Sequence, residues 1–416
     1  MDGLRPYPVY LGIKGAFALF FMLYATVASV YRIEEVGLDP LRLVLLGTAL
    51  EVAVLVFEVP TGVLADTYGR RRSVITGFLL MGAGFALEGA VPHFWTVLVS
   101  QVIWGVGYTF ISGALEAWIA DEAPERELGR VYLRGEQADY IGSLLGVILS
   151  VAIATIALNL PLLVGGVLTV GLGVALFFGM PERNFRPSPR EGRSSLHQVG
   201  TTARGGFRLV RARPVLLILL VVAVFSGMSE EGFDRLYAKH FLDGIGLPSL
   251  GALDPVVWFG VLNAGALVLS YLAAEVVGRR MNVGDAAVAA RLLLVLNVLT
   301  IAGMLAFALA GSFAFALAAF WFASLTRTLA EPLYLTWLNE GLEPGVRATV
   351  ISMGSQAGAL GEASAGPVIG VIGNLAGVRT ALTVAGIILS PTLVLYARAI
   401  RHRGRANGDE KPLERL

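Results

Sequence analysis

The chain alternates between long apolar stretches and short polar ones over nearly its whole length. An apolar stretch of about 20 residues predicts a membrane-spanning helix, because at 1.5 Å per residue it crosses a hydrocarbon core about 30 Å thick. Twelve such stretches are present, at residues 8–31, 40–63, 73–92, 94–118, 135–158, 160–180, 214–238, 254–277, 288–310, 312–337, 348–373 and 378–399. The short alternating strands of an outer-membrane barrel are not visible. The sequence therefore predicts an all-α membrane protein with twelve transmembrane helices.

The composition fits a membrane protein and narrows its partners. Of the 416 residues, 56% are hydrophobic and 15% are charged, whereas a soluble protein carries about a quarter charged residues. The 50 glycines are frequent inside apolar stretches, where they let helices approach closely. The chain has no cysteine, which excludes disulfides and thiolate metal sites, and its net charge of +1 suggests no nucleic-acid partner. We expect the lipid bilayer to surround most of the chain.

Arginines distinguish the two sides of the membrane. Alternate loops are basic, among them Arg70–Arg72 and a segment with eight arginines between Arg183 and Arg213, whereas the other loops hold few basic residues. Basic loops stay in the cytoplasm. We therefore expect a multi-pass protein of the bacterial cytoplasmic (inner) membrane, with both termini in the cytoplasm.

A long polar segment divides the chain into two sets of six spans. We predict an N-terminal six-helix bundle over residues 1–181, a cytoplasmic linker over 182–213, a C-terminal six-helix bundle over 214–400 and a cytoplasmic tail over 401–416. The second part of the linker, residues 194–213, is either a basic amphipathic helix on the membrane surface or a disordered segment.

Two local matches indicate that the halves arose by duplication. Residues 65–71, Ala-Asp-Thr-Tyr-Gly-Arg-Arg, parallel residues 274–280, Ala-Glu-Val-Val-Gly-Arg-Arg, at an offset of 209. Trp118 recurs as Trp337 at an offset of 219, so ten residues are inserted between the two matches. Two pseudo-symmetric six-helix bundles are an architecture that supports alternating access.

The loop between the second and third spans carries the most specific motif. Residues 62–72 read Gly-Val-Leu-Ala-Asp-Thr-Tyr-Gly-Arg-Arg-Arg: a glycine, an acid four residues on, a second glycine three later, and then basic residues. This pattern resembles the first signature of the major facilitator superfamily of transporters, and the resemblance extends over essentially the whole chain. The glycines permit tight packing and sharp turns, and Asp66 suits a helix N-terminus.

The resemblance implies both a fold and a gate. The fold is the major facilitator fold of two six-helix bundles, in which Asp66 caps the eleventh span in the outward-open state. Arg70 then pairs with Asp121 at the cytoplasmic end of the fourth span, and together they latch the two halves on the inside. The alternative is that these charges only orient the protein in the membrane. The candidate gate residues are Gly62, Asp66, Gly69, Arg70, Arg71 and Asp121.

Two further segments resemble a narrower group. Residues 58–62, Glu-Val-Pro-Thr-Gly, and residues 112–118, Ser-Gly-Ala-Leu-Glu-Ala-Trp, look like those of bacterial drug or tetracycline-type exporters. Proton antiporters of that kind carry an arginine in the fourth span, where this chain has Gln101, and a Gly-Pro pair in the fifth span, where this chain has no proline. These departures leave the direction of transport open.

The seventh span holds the densest group of charges inside an apolar stretch. An ionisable residue at membrane depth is a candidate functional group, because it costs at least about 2.5–3.5 kcal/mol to insert. Glu231 and Arg235 are four residues apart and are expected to pair, whereas Glu230 and Asp234 put two like charges on one helix face. The group is either a proton-binding cluster or a structural ion-pair network in the headgroup region.

Single charges in other spans extend the set of candidates. In the tenth span, Arg327 and Glu331 are four residues apart, and they are either a structural pair or a group in which Arg327 binds an anion. Acids also lie in the second and eleventh spans and, as Glu88, further out in the third, where they either relay protons or bond to a neighbouring helix. The proton-coupling candidates are Glu51, Glu58, Glu230, Glu231, Asp234, Glu331 and Glu362, with Arg235 and Arg327 as charge partners.

Aromatic residues in three spans predict the chemistry of the substrate. As a set they favour a hydrophobic or amphipathic molecule over a sugar, which needs more Asn, Gln and Asp at such positions. The alternative for each is contact with lipid or a neighbouring helix. The candidates for lining a substrate cavity are Phe17, Phe21, Tyr24, Trp104, Tyr108 and Trp321.

These patterns lead to one main hypothesis and two alternatives. The main one is a secondary active transporter, a monomer without cofactor or metal, that exports a hydrophobic or amphipathic small molecule by proton antiport with alternating access. The alternatives are uptake of an organic anion, with or without protons, and a membrane sensor that binds a ligand without transporting it. An enzyme is not expected, because the chain has no Gly-x-x-x-x-Gly-Lys phosphate loop and only four scattered histidines.

Overall fold

The chain folds into helices throughout its described parts. A computed structural model describes residues 5–185, 208, 210–211, 213–249, 255–280, 286–342 and 344–409. These residues contain no strand, which confirms the all-α prediction. The α-helices are α1 (Pro6–Glu34), α2 (Pro40–Tyr68), α3 (Arg70–Ala90), α4 (Phe94–Ile111), α5 (Ala114–Glu122), α6 (Leu128–Ala154), α7 (Leu160–Gly179), α8 (Pro214–Lys239), α9 (Pro255–Arg280), α10 (Ala286–Ala308), α11 (Phe313–Leu338), α12 (Pro344–Ala376), α13 (Val378–Ile388) and α14 (Pro391–Asp409).

Most of these helices have the length and hydropathy of membrane spans. Eleven stretches of the described chain are long and apolar enough to cross a membrane, counting α4 with α5 and α13 with α14 as one stretch each. The helix α12 has 33 residues but is not among them. It contains seven glycines, which lower its mean hydropathy. The amphipathic helix considered for residues 194–213 lies almost entirely outside the described residues.

Proline and capping residues explain where several helices begin. Proline occupies the first turn of α1, α2, α7 and α8, where its missing N–H needs no partner. Asp39 precedes α2, and its side chain accepts a hydrogen bond of 2.9 Å from the backbone N–H of Arg42. Local chemistry that is visible in the sequence therefore fixes these helix starts.

Two of the predicted spans are interrupted. The span expected at 94–118 divides between α4 and α5, because Gly113 adopts a φ of 72°, a left-handed conformation that stops the helix. The span expected at 378–399 divides between α13 and α14. Pro391 begins α14, and its ring removes the N–H that a continuous helix would use.

The helices pack into two compact units. Unit 1 comprises residues 1–192 and 247–267, so the first half of α9 belongs to it, and Val256 packs there with Tyr24 and Phe85. In unit 1, α1 packs against α6 and α7, and α3 packs against α4 and α7. Unit 2 comprises residues 193–246 and 268–416; in it, α8 packs against α12, α13 and α14, and α10 packs against α11.

Equivalent close contacts in the two units reveal the internal repeat in the structure. A Cβ atom added to Gly142 of α6 would lie 2.1 Å from the carbonyl oxygen of Gly15 in α1, and one added to Gly361 of α12 would lie 2.1 Å from that of Val224 in α8. These pairs are related by offsets of 219 for α6 and α12 and of 209 for α1 and α8.

The repeat extends to two more pairs of helices at the larger offset. In unit 1, Gly84 of α3 faces the backbone of Trp104 in α4, and in unit 2 Gly303 of α10 faces the backbone of Ala323 in α11. Gly84 and Gly303 are 219 residues apart in the sequence, and so are Trp104 and Ala323. Positions in α3 and α4 therefore correspond to positions in α10 and α11 at an offset of 219.

Candidate functional site

The loop between α2 and α3 is held by charges at one end of unit 1, which we call the motif end. The Arg70 guanidinium donates to the Asp121 carboxylate and also to the carbonyl oxygen of Ala117, the latter at 2.5 Å. Arg70 also lies 3.9 Å from Asp66, one turn earlier in the sequence. The structure thus joins three of the candidate gate residues through one arginine.

A residue that was not a candidate caps the helix that follows this loop. Glu182, just after α7, accepts a hydrogen bond of 2.8 Å from the backbone N–H of Arg71 at the start of α3. Gly69 has a φ of 116° and lies so close to Glu182 that an added Cβ would be 2.9 Å from its carboxylate. A side chain at position 69 would therefore be strained and would displace the cap.

Two residues of the motif loop lie elsewhere than their chemistry suggested. Asp66, whose side chain suits a helix N-terminus, lies in the last turn of α2. Gly62 does not mediate tight packing, because it is exposed within α2 and an added Cβ would meet nothing within 4 Å. Both placements have one cause: α2 runs six residues beyond Gly62 before the chain turns.

The predicted charges of unit 2 form a cluster between α8 and α11. The Arg327 guanidinium donates two hydrogen bonds of 2.7 Å to the two oxygens of Asp234. Its Nε lies 3.8 Å from Glu230, and its central carbon, Cζ, lies 5.5 Å from the ring centroid of Phe233. The side chains of Glu230 and Asp234 are 41% and 52% exposed. One guanidinium therefore faces two accessible carboxylates.

Beside this cluster, Glu231 and Arg235 form the pair expected from their spacing. Arg235 Nε lies 3.3 Å from both carboxylate oxygens of Glu231, which is buried. The structural pair considered for the tenth span, Arg327 with Glu331, is not formed. The Arg327 guanidinium contacts carboxylates of α8 rather than Glu331 on its own helix. Glu331 is exposed, and no hydrogen bond or ion pair of its side chain is found within the described segments.

The other candidate acids have different surroundings. Glu362 of α12 is half-buried and acts electrostatically on Arg327. In unit 1, Glu58 accepts a hydrogen bond of 3.3 Å from the Ser112 hydroxyl, and its second oxygen is enclosed without a hydrogen-bond partner in the described part of the chain. Glu51 is half-buried in α2. Only Glu362 is therefore near the charge cluster of unit 2.

Four of the aromatic candidates lie on neighbouring faces of α1 and α4. Phe21 contacts Phe17 and Trp104 with ring centroids 5.9 and 6.0 Å apart, and Tyr108 is exposed one turn along α4. Tyr24 is only 2% exposed, so it does not line an open cavity in this structure. Trp321 of α11 is half-buried.

A buried polar network in unit 1 was missed by the sequence reasoning. Arg32 and Glu88, whose side chains are 7% and 1% exposed, form an ion pair of 2.7 Å. The Glu88 carboxylate also accepts hydrogen bonds from the Tyr24 hydroxyl at 2.9 Å and the Gln101 amide at 2.8 Å. From the sequence, Arg32 belonged to a loop and Glu88 to a different span. Two signals were visible, the acid Glu88 inside the third span and the polar Gln101 in an otherwise apolar segment, but neither indicated Arg32 as a partner.

Comparison with known proteins identifies the family. A family model described as the Major Facilitator Superfamily matches residues 11–365. The chain belongs to the major facilitator superfamily. It is thus a membrane transporter by family, and this superfamily does not in general consist of enzymes.

Relatives and solved structures support the superfamily assignment. The uncharacterized MFS-type transporter YxaM of Bacillus subtilis is 24% identical over 383 residues, which are 90% of this chain and 91% of YxaM. Sugar transport protein 12 of Arabidopsis thaliana is 23% identical over 269 residues, 58% of this chain and 53% of that protein. A bacterial homologue of the human lysosomal transporter Spinster, solved in an inward-facing and unoccupied conformation, has a TM-score of 0.75 and 16% identity, covering 96% of this chain and 98% of the homologue.

These comparisons define how far the superfamily assignment reaches. The match to solved major facilitator structures confirms the fold predicted from the twelve apolar stretches. The narrower resemblance to drug or tetracycline exporters is not established, since relatives of this superfamily member include a sugar transport protein. The functional conclusion that follows therefore depends on the residues of this chain.

Proposed function

We propose that this major facilitator protein exports a hydrophobic or amphipathic small molecule in exchange for protons. The observation that carries the proposal is the excess of carboxylates around Arg327 in unit 2. Asp234 accepts hydrogen bonds from both terminal nitrogens of the guanidinium, while Glu230 remains 3.8 Å from Nε. A proton taken up by either carboxylate would remove the excess negative charge.

The surroundings of this cluster support proton binding there. A charge left uncompensated at membrane depth is costly, and the exposed Glu331 one turn along α11 adds a further negative charge. Because Glu230 and Asp234 are both accessible, protons can reach them without a large rearrangement of unit 2. Proton uptake at this cluster is the step that we expect to couple to transport.

The internal repeat bears on the class of substrate. At the offsets of 209 and 219, the positions of Glu230, Asp234 and Arg327 in unit 2 correspond to Phe21, Ala25 and Tyr108 in unit 1. The same positions of the fold are thus charged in one unit and apolar or aromatic in the other. The aromatic positions of unit 1 support a substrate with an apolar part.

The arrangement argues against an anion bound by Arg327. An anionic substrate would have to displace Asp234 from two hydrogen bonds of 2.7 Å, and it would then face Glu230. Hydrogen bonds between charged groups are among the strongest in proteins. The local charge therefore favours binding of a cation, such as a proton, over binding of an anion at this cluster.

The test is proton flux in reconstituted vesicles. Amphipathic compounds are first screened by thermal shift, because binding stabilises the folded protein. Vesicles holding a pH-sensitive dye then receive each stabilising compound, and we expect proton movement opposite to compound movement. Glu230→Gln and Asp234→Asn should each abolish this coupled flux, whereas Glu125→Gln, which changes an exposed acid in the short 3-10 helix before α6, should retain it.

Other outcomes would exclude the proposal. Coupled flux that survives in both Glu230→Gln and Asp234→Asn would mean that the proton site lies elsewhere. Transport of an anion that persists without a pH gradient and is lost in Arg327→Gln would favour anion uptake. Binding of a compound that is never moved across the membrane would favour the sensor.

A further inference from the structure

The buried network of unit 1 has an apolar counterpart in unit 2. We call four side chains of this network the polar layer: Tyr24, Arg32, Glu88 and Gln101. Ser100 also donates a hydrogen bond of 3.2 Å to Glu88, and its counterpart in unit 2 is Ala319. The repeat relates α1 to α8 at an offset of 209, and α3 and α4 to α10 and α11 at 219. At these offsets, every member of the polar layer corresponds to a phenylalanine: Phe233, Phe241, Phe307 and Phe320.

These four phenylalanines form one packed cluster. Phe307 lies with its ring centroid 5.4 Å from that of Phe233, 5.1 Å from that of Phe241 and 5.9 Å from that of Phe320. Phe233 and Phe320 are stacked at 5.9 Å. At these positions, unit 2 is therefore held together by contacts between aromatic rings.

Stability alone does not explain the ion pair in unit 1. Replacing a buried ion pair by well-packed apolar residues is often neutral or stabilising, because the charges no longer have to be desolvated. In addition, the Gln101 carbonyl oxygen is enclosed and has no hydrogen-bond partner among the described residues, which is destabilising. The polar layer is therefore suited to a purpose other than holding the fold together.

The polar layer fixes three helices at one level. Glu88 of α3 is bonded to Arg32 and Tyr24 of α1 and to Gln101 of α4. Arg32 in turn donates a hydrogen bond of 2.6 Å to the Tyr24 hydroxyl. Directional bonds of this kind set the rotation and height of each helix, which apolar contacts define less strictly.

An aromatic layer lies one turn closer to the motif end. It consists of Phe21, Phe85 and Trp104, which stand three residues from Tyr24, Glu88 and Gln101 on the same helices. Residues three apart share a helix face. The ring centroid of Trp104 lies 6.0 Å from that of Phe21 and 5.6 Å from that of Phe85. Tyr24 stacks on Phe85 at 4.0 Å and so joins the two layers.

We propose that the polar layer positions the aromatic layer, so that Phe21 and Trp104 present a fixed apolar surface to the substrate. The proposal rests on the proposed function in one respect, namely that the substrate has an apolar part. In unit 2 the equivalent position of Trp104 is Ala323, and the four phenylalanines occupy the positions that the polar layer has in unit 1. The polar layer accompanies the half of the repeat that carries five of the six aromatic candidates.

The first test follows Trp104 in the absence of any substrate. The difference in fluorescence between the protein and its Trp104→Phe variant isolates the emission of Trp104. In the neutral double variant Arg32→Gln with Glu88→Gln, we expect this emission to shift to longer wavelength and to be quenched more strongly by acrylamide. Thr300→Val is the matched control, because it removes a buried hydrogen bond of 2.8 Å in unit 2, and it should leave the Trp104 emission unchanged.

The second test measures binding in nanodiscs, with ethidium as an aromatic amphipathic probe. A surface that is no longer held in place must be ordered when the ligand binds, which weakens binding, so we expect the Kd for ethidium to rise about tenfold in the double variant. A variant that gives the polar layer the four phenylalanines of unit 2 should fold and show the same loss of affinity. If this variant does not fold, Tyr24→Phe replaces it and should give a smaller change in the same direction.

Two results would overturn the proposal. One is a double variant whose melting temperature falls while the Trp104 emission and the ethidium Kd stay as in the wild type, which is the behaviour of a purely structural network. The other is a control that perturbs Trp104 as much as the double variant does. If the wild type binds no ethidium, the proposed function is in doubt, but the Trp104 emission still decides the positioning role.

Discussion

The contact between Gly142 and Gly15 makes a quantitative prediction about packing. In Gly142→Ala the new Cβ would lie 2.1 Å from the Gly15 carbonyl oxygen, whereas a relaxed carbon–oxygen contact is about 3.3 Å. The obstacle is backbone, so no side chain can rotate away, and α1 and α6 must separate by roughly 1 Å. We expect a clear loss of stability.

The size of the loss follows from two opposing effects. Inserting a methyl group into a packed contact costs about 1–3 kcal/mol, and a backbone obstacle belongs in the upper part of that range. Replacing glycine by alanine inside a helix gains about 1 kcal/mol. The net destabilisation is therefore about 1–2 kcal/mol, which corresponds to a melting temperature lower by roughly 2–8 °C for units of this size.

The repeat supplies a matched variant and the chain supplies controls. Gly361→Ala meets the Val224 carbonyl at the same 2.1 Å in unit 2, so it should lose as much stability as Gly142→Ala. Gly12→Ala and Gly171→Ala meet nothing within 4 Å and should be neutral or slightly stabilising. Thermal unfolding in detergent, followed by tryptophan fluorescence, measures all four. If Gly142→Ala melts together with Gly12→Ala, the inferred close contact is wrong.

Three further predictions concern the charged contacts. Arg70 and Asp121 should show a coupling energy of about 1 kcal/mol in a double-mutant cycle of unfolding, because the pair is partly exposed, and additive single variants would disprove it. Glu182→Ala should lower the free energy of unfolding by about 1 kcal/mol through loss of the α3 cap; Glu182→Gln keeps an acceptor and should lose less, so equal losses would argue against capping. Arg327→Lys should reduce pH-driven transport about tenfold or more, since one ammonium cannot reproduce the two parallel hydrogen bonds to Asp234. Full transport by this variant would show that these two hydrogen bonds are not needed.

The fold was predictable because its main signals are local. The lengths of the apolar stretches and the prolines at helix starts depend on neighbouring residues only, and the structure follows them closely. The break in the fourth span was missed because a glycine within an apolar helix does not by itself announce a positive φ. Only the structure reveals that Gly113 adopts one.

The candidate site was predictable only in part, because its pairs join distant segments. The seventh-span charges were identified by their presence at membrane depth, and Glu231 and Arg235 pair as their spacing indicated. The partner of Arg327 was not identifiable, because Asp234 lies 93 residues away on another helix. The pairing of Arg32 with Glu88 was missed for the same reason, with 56 residues between them and no periodic pattern to link them.

The sequence distance between Arg32 and Glu88 also has a consequence for biogenesis. At a synthesis rate of about 5–20 residues per second, Glu88 emerges roughly 3–11 s after Arg32. During that interval the arginine at the end of α1 has no carboxylate from α3, so we expect it to remain near the aqueous boundary of the translocon, where its charge is hydrated. The first helix can take its final depth only after the third has been inserted, which makes membrane integration of this half a concerted rather than a helix-by-helix event.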